Sequence, residues 1–284
     1  MDPQLEVAFG ALPDADRFSK LIHKAQNAPH NWLGRKLAKF YRSQVVPKVR
    51  TPVDAEVEGI RLRTLLSDNN SERRYLFMPW LFDAEERALL ADSIPSDGVF
   101  VDIGANIGIY SLWVAKHMDA KGQVLAFEPN PPAYQRLLFN VRANQEVQPD
   151  HWPKVHCVAK GVSDQRGEFS LYLDPNNLGG SSLVLHQDTG VQTQIECVTL
   201  LEQLEEFCID RIDALKIDIE GAEDIALIPF FNTAPPELFP GLIVMERTHQ
   251  DKKTPLDLVL KKAGYEVLKL TRMNAIYSLR RGQC

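Results

Sequence analysis

The sequence predicts a doubly wound α/β fold: a mostly parallel sheet covered by helices on both faces, an antiparallel last strand and a helical N-terminal extension. Three observations predict it. From residue 99 onward, short apolar runs alternate with helical stretches, the rhythm of strands buried on both faces. The last two runs, Tyr265–Leu270 and Ala275–Leu279, meet across Met273-Asn274, which leaves no room for a crossover helix. Upstream, Leu33, Leu37 and Phe40 recur at i, i+4 and i+7, as on an amphipathic helix.

Taken in order, the basic extension covers residues 1–52 and the α/β domain 53–284. Apolar and polar positions alternate over 53–67 around Gly59, which predicts a hairpin. Asp83 heads a helical pattern with Glu86 three residues on, the spacing of a capping box. Val99–Ile103 reads as a strand, Ile107–His117 as a helix, Val124–Phe127 as a strand, and Pro131–Asn144 as a helix opened by two prolines. A strand near Val155–Val158 precedes a turn- and glycine-rich insertion at 165–192. Leu215–Ile219 and Leu242–Glu246 are two further buried strands, with a helix near Glu223–Phe231 between them and another at Pro255–Ala263.

Composition excludes several classes. A chain of 284 residues, 44% hydrophobic and 25% charged, builds a sizeable core and is neither disordered nor fibrous. No stretch approaches the 18 apolar residues of a membrane span, and Met1-Asp2-Pro3-Gln4-Leu5-Glu6 has no signal-peptide pattern. Cys157, Cys197, Cys208 and Cys284 show no metal-ligand spacing, so buried thiols in a reduced, cytoplasmic setting are expected. The formal charge of −6 is uneven: residues 17–53 hold nine Lys or Arg and no Asp or Glu. Either a helix docks there with its cations in solvent or paired with the acidic body, or residues 17–50 meet an anionic lipid, a phosphorylated carrier or nucleic acid.

Ligands of such a sheet lie outside the carboxyl ends of its strands. That rule selects 102–108, 128–130, 216–221 and 246–249. In the first, Gly104 permits a tight turn, Asn106 tolerates left-handed backbone, and Gly108 allows close helix packing. Three residues separate the two glycines, so the G-x-G-x-x-G dinucleotide fingerprint is absent. Glu128 ends the second strand, where a carboxylate accepts both hydroxyl hydrogens of a ribose. Lys216, Asp218 and Glu220 alternate along the fourth, on one face. Glu246 and His249 end the strand beside it; a hard cation such as Mg²⁺, held by Asp218 and Glu246, is one reading, and proton removal by Asp218 or His249 the other.

These motifs resemble the FkbM-type methyltransferases. The resemblance rests on Asp102-Ile103-Gly104-Ala105-Asn106-Ile107-Gly108, Phe127-Glu128-Pro129-Asn130 and Lys216-Ile217-Asp218-Ile219-Glu220-Gly221-Ala222-Glu223, with Gly179–Leu183 in addition, and covers about residues 55–280. It implies a class I, Rossmann-like fold, S-adenosylmethionine as cofactor, and O-methylation of a sugar, glycoconjugate or related natural product. It further implies that Gly104, Asn106 and Gly108 pack against the methionine part and that Asp102 orients that loop or the amino group. Glu128 would bind the ribose, and Asn130, Ser163 and Asp164 the adenine; a plain Ser or Asx turn is the alternative for the last two. The acceptor is a small molecule or glycan with a hydroxyl group. Nucleic acid is not expected, because Asn130-Pro131-Pro132-Ala133-Tyr134 departs in place and spacing from the N-P-P-Y motif of base methylation. The rival readings are an NAD-dependent oxidoreductase and a non-enzymatic binding module.

Overall fold

The computed structural model describes residues 5–12, 18–67, 69–172, 192–247 and 254–280. The chain opens with α1 (Ser19–Gln26) and α2 (Trp32–Val45), then the antiparallel hairpin β1 (Val53–Val57) and β2 (Ile60–Thr64). Helices α3 (Asn70–Phe77) and α4 (Ala84–Ser93) lead into β3 (Val99–Ile103), α5 (Ile109–Ala115), β4 (Gln123–Phe127), α6 (Pro131–Gln145) and β5 (Lys154–Val158). Three short strands follow: β6 (Gly161–Val162), β7 (Gly167–Tyr172) and β8 (Gln192–Val198). Then come α7 (Leu200–Glu206), β9 (Ala214–Ile217), α8 (Glu223–Thr233), β10 (Leu242–Glu246), α9 (Pro255–Lys262), β11 (Tyr265–Leu270) and β12 (Asn274–Leu279).

The seven-stranded sheet runs β11-β12-β10-β9-β3-β4-β5. Strands β10, β9, β3, β4 and β5 are mutually parallel, and β12 inserts antiparallel between β10 and β11. This is the predicted doubly wound sheet with its antiparallel last strand. The chain order reverses between β3 and β9, so both strand tips open onto one crevice. One face of the sheet packs under α5, α6 and the extension, where Ile22, Ala38 and Val45 share a core with Ile107, Leu112 and Val124. The other packs under α7, α8 and α9 through Leu204, Leu227, Phe230 and Leu260. Among the described residues, no helix is long and apolar enough to cross a membrane.

Several expectations need correction. Helix α2 docks through Gly34, Ala38 and Val45, whereas Leu33, Leu37 and Phe40 face solvent. Close approach selects the small face: a Cβ on Gly34 would stand 1.7 Å from the Pro29 carbonyl oxygen. Asp83 heads α4 as its N-cap residue, as predicted, but no capping box forms. Its backbone is left-handed (φ 42°), its side chain makes no cap bond, and Glu86 reaches across to Asn274 Nδ2 at 2.8 Å instead. Helix α5 starts at Ile109 rather than Ile107, because Asn106 and Gly108 hold positive φ up to its first turn. The insertion at 165–192 includes paired strand: β7 and β8 are antiparallel partners in a separate three-stranded sheet. Strand β9 ends at Ile217, two residues early, since Glu220 and Gly221 turn the chain with positive φ. Cys157 and Cys197 are inert thiols that burial pushes up to about 12 and about 11, but Cys208 is exposed.

Candidate active site

The site is built where β3, β4, β9 and β10 end. The loop after β3 is drawn over the sheet by two backbone bonds, from Gly104 N (3.0 Å) and Ala105 N (2.8 Å) to the Phe127 carbonyl. Gly104 has φ +81°, and a Cβ there would meet the Asp218 carbonyl oxygen at 2.1 Å. Only glycine satisfies both conditions. Gly104→Ala should therefore lower stability by about 3 kcal/mol, from the left-handed penalty and the overpacking together. Calorimetric unfolding checks it; an unchanged midpoint would mean that the loop has room to move.

Asn106 carries the predicted left-handed backbone (φ 52°), and its amide donates to Glu128 Oε2 at 2.7 Å. The Asn130 amide donates to Oε1 at 2.8 Å. Glu128 is thus aimed into the cleft by two backbone donors. Burial nonetheless outweighs them and pushes its carboxyl up to about 7. Asn130 itself is 2% exposed, and neither end of its side-chain amide has a hydrogen-bond partner. Such an orphan awaits a ligand or a water.

At the tip of β9 the charges are layered. The buried Lys216 ammonium lies 3.3 Å from Asp218 Oδ2, 3.3 Å from the Gly104 carbonyl oxygen and 3.8 Å from Asp102 Oδ1. Burial works against that ammonium, but the charges of Asp218 and Asp102 outweigh it and raise its pKa. Asp218 and Glu246 share a hydrogen bond. Burial and then the charge of Asp218 hold Glu246 far above the usual carboxylate range. Burial also opposes ionisation of Asp218, yet Lys216 and the bond from Glu246 keep its pKa low. One proton therefore resides on the pair, nearer Glu246. Glu220 joins them: Asp218, Glu220 and Glu246 place one carboxylate oxygen each within 4.8 Å of one another.

One cleft brings together Gly104, Asn106, Glu128, Lys216, Asp218, Glu220 and Glu246, as the strand-end rule predicts. Other predicted residues fall elsewhere. Asp102 is fully buried behind the loop, bonded by Ser111 Oγ at 2.6 Å, so it supports Lys216 from beneath and is closed off from the cleft. Gly108 backs onto Leu137 of α6, where a Cβ would stand 2.7 Å from Cδ1. Ser163 and Asp164 bond each other at 3.1 Å in a local turn, and Lys160, Gly161 and Val162 line the cleft in their place. His249 and the Gly179–Leu183 loop lie outside the described residues. Pro131 and Pro132 open α6, the helix-starting role predicted for them.

The sequence pattern did not mark the opposite wall. There Tyr110 Oη donates to Asp83 Oδ2 at 3.1 Å, with Ser71, Arg74 and Asn274 beside it. Burial, then the charge of Glu86, raises the Asp83 carboxyl. The strained φ of Asp83 marks that wall in the structure, but backbone angles are not visible in a sequence, which therefore held no signal for it.

The pattern described as the Methyltransferase FkbM domain matches residues 102–267. Methyltransferase sdnD of Sordaria araneosa is 27% identical, over 62% of this chain and 76% of its own length. Hexuronic acid methyltransferase AglP of Haloferax volcanii is 27% identical as well, over 62% of this chain and 66% of its own length. A crystal structure of methyltransferase FkbM from Methylobacillus flagellatus KT is 14% identical with a TM-score of 0.42, covering 92% of this chain and 59% of that one. With a family pattern spanning more than half its length and beginning at the first cleft motif, the chain belongs to the FkbM methyltransferase family.

Proposed function

We propose that the protein transfers a methyl group from S-adenosylmethionine to a hydroxyl of a sugar, glycoconjugate or related natural product. The observation that carries this is the convergence of the Gly104–Asn106 loop, Glu128 and the Asp218–Glu246 pair in one cleft. Two features fit the cofactor. The Glu128 carboxylate faces the cleft with lone pairs left for two ribose hydroxyls. Asn130 does not line the cleft, but it follows Pro129 of the lining and holds an unpaired buried donor and acceptor, which suits an adenine edge. AglP, by its name a hexuronic acid methyltransferase, supports a sugar acceptor.

When bound, the cofactor supplies a methyl group already activated by the sulfonium charge. The protein then has to align the acceptor oxygen in line with the carbon–sulfur bond and take its proton. Asp218 is suited to that proton, because Lys216 keeps it ionised and Glu246 already bonds its carboxylate. A second reading rests on the three clustered carboxylates, whose hard oxygens would suit Mg²⁺ and would lower the pKa of a bound hydroxyl.

Calorimetric titration tests the first step. S-adenosylmethionine and S-adenosylhomocysteine should bind saturably, and NAD should not, since the loop lacks the dinucleotide spacing. Binding of NAD in preference to both would overturn the proposal.

A further inference from the structure

A second cavity, of about 810 Å³, adjoins the cleft. The two share Arg74, Phe82, Asp83 and Met273 in their walls. The shared wall fixes which end they have in common. Met273 precedes Asn274, which pairs in register with Glu246, so the shared wall lies toward the strand end that carries Glu246, although neither Asp218 nor Glu246 lines the second cavity itself. Glu128, Lys160 and Val162, at the ribose end, do not line it. A molecule lying in this cavity would reach the methyl-transfer point from the acceptor side.

Its charge is unusual for so acidic a chain. Arg35, Lys39 and Arg42 project into it from α2, at the i, i+4, i+7 spacing of one helix face. Arg74 and Arg272 stand opposite. Three carboxylates, Asp83, Glu85 and Glu86, share the lining, leaving an excess of two positive charges. The carboxylates are already engaged: Glu85 with Lys269 at 2.7 Å, Glu86 with Asn274, and Asp83 with Tyr110 and, at 3.9 Å, with Arg74 of the same lining. Among the described residues, no carboxylate lies within ion-pairing distance of Arg35, Lys39 or Arg42, and α2 contains no acidic residue. Trp80, Leu81 and Leu270 add an apolar flank.

We infer that this cavity is an acceptor subsite for a dianionic phosphate group, held by Arg35, Lys39 and Arg42 while the acceptor hydroxyl reaches Asp218. The inference rests on the proposed methyltransferase reaction. Two arginine forks match phosphate oxygens, and the excess of two charges balances a diphosphate diester or a phosphate monoester. A single sugar carboxylate would leave one cation uncompensated. The helix of the basic extension thereby acquires a role in the reaction: it forms one wall of the acceptor site.

Inorganic pyrophosphate is the probe, titrated by calorimetry into protein saturated with S-adenosylhomocysteine. It should bind saturably and more tightly than glucuronate, and R35Q/K39Q/R42Q should weaken it at least about tenfold. The control K154Q/K261Q/K262Q removes three exposed charges elsewhere and should not weaken it. S-adenosylhomocysteine affinity, read separately in each variant, should hold; its absence in the wild type would be a failure of the cofactor reading instead. Pyrophosphate affinity unchanged in R35Q/K39Q/R42Q, lowered equally in the control, or weaker than that of glucuronate would overturn the subsite. Sedimentation with phosphatidylcholine vesicles, with and without phosphatidic acid, identifies the source. Binding that needs phosphatidic acid and is displaced by pyrophosphate indicates a lipid-borne phosphate; pyrophosphate binding without sedimentation indicates a soluble one.

Discussion

Asp218→Asn should lower turnover about a thousandfold while cofactor affinity stays within about threefold, the loss typical of removing a general base. The side chain keeps its shape, and Lys216 keeps its second carboxylate, Asp102, at 3.8 Å. What disappears is the ionised oxygen that receives the acceptor proton. Glu246→Gln separates the two readings of the carboxylate cluster. If Glu246 serves as a neutral donor to Asp218, as its raised pKa implies, glutamine preserves the bond and turnover should stay within about tenfold. If the cluster instead holds a divalent cation, Glu246→Gln should fall as far as Asp218→Asn, and a chelator should abolish activity in the wild type. Single-turnover transfer of labelled methyl to the acceptor, with cofactor binding measured in parallel, reads both. Asp218→Asn within about tenfold of wild type would remove Asp218 from the reaction.

Much of this site was legible because local constraints are strict. Few residues other than glycine and asparagine accept the left-handed backbone that the loop after β3 requires, so Gly104 and Asn106 mark it in any reading. Charged residues within a buried strand are costly, so Lys216 announces a use. The fold followed from strand rhythm and from the short link between β11 and β12. The failures were of another kind. Helix α2 carries two stripes, one of large apolar residues and one of small ones, and hydrophobicity alone favours the wrong one. The contact at Pro29 selects Gly34, and Ala38 is buried one turn on, which is tertiary information. The wall of Asp83, Tyr110 and Arg74 comes from separate elements that no local pattern connects. The basic run was visible as charge; that Arg35, Lys39 and Arg42 turn toward a cavity next to the cleft required the docking of α2.

Glu128→Ala should weaken cofactor binding by about a hundredfold. Two hydrogen bonds to a charged acceptor are lost, each worth about 1.5–3 kcal/mol, and some of that is recovered as water enters. The loop is affected as well, because the Asn106 amide loses its acceptor at 2.7 Å. A pH dependence follows from the same residue. Its carboxyl titrates at about 7 in the free protein, so it is neutral below that pH and ionised above it. Ribose hydroxyls are donors and select the ionised form, which couples binding to loss of one proton. Affinity should therefore rise with pH, by up to about tenfold per unit on the acid side of 7, and level off above it. Adenosine is the proper probe, since it keeps the ribose and base while lacking the amino acid groups that would titrate themselves. Glu128→Gln should bind adenosine weakly and with a flat profile. A wild-type profile equally flat between about pH 5.5 and 8.5 would mean that the carboxylate does not touch the ribose, and the second strand tip would lose its assigned role.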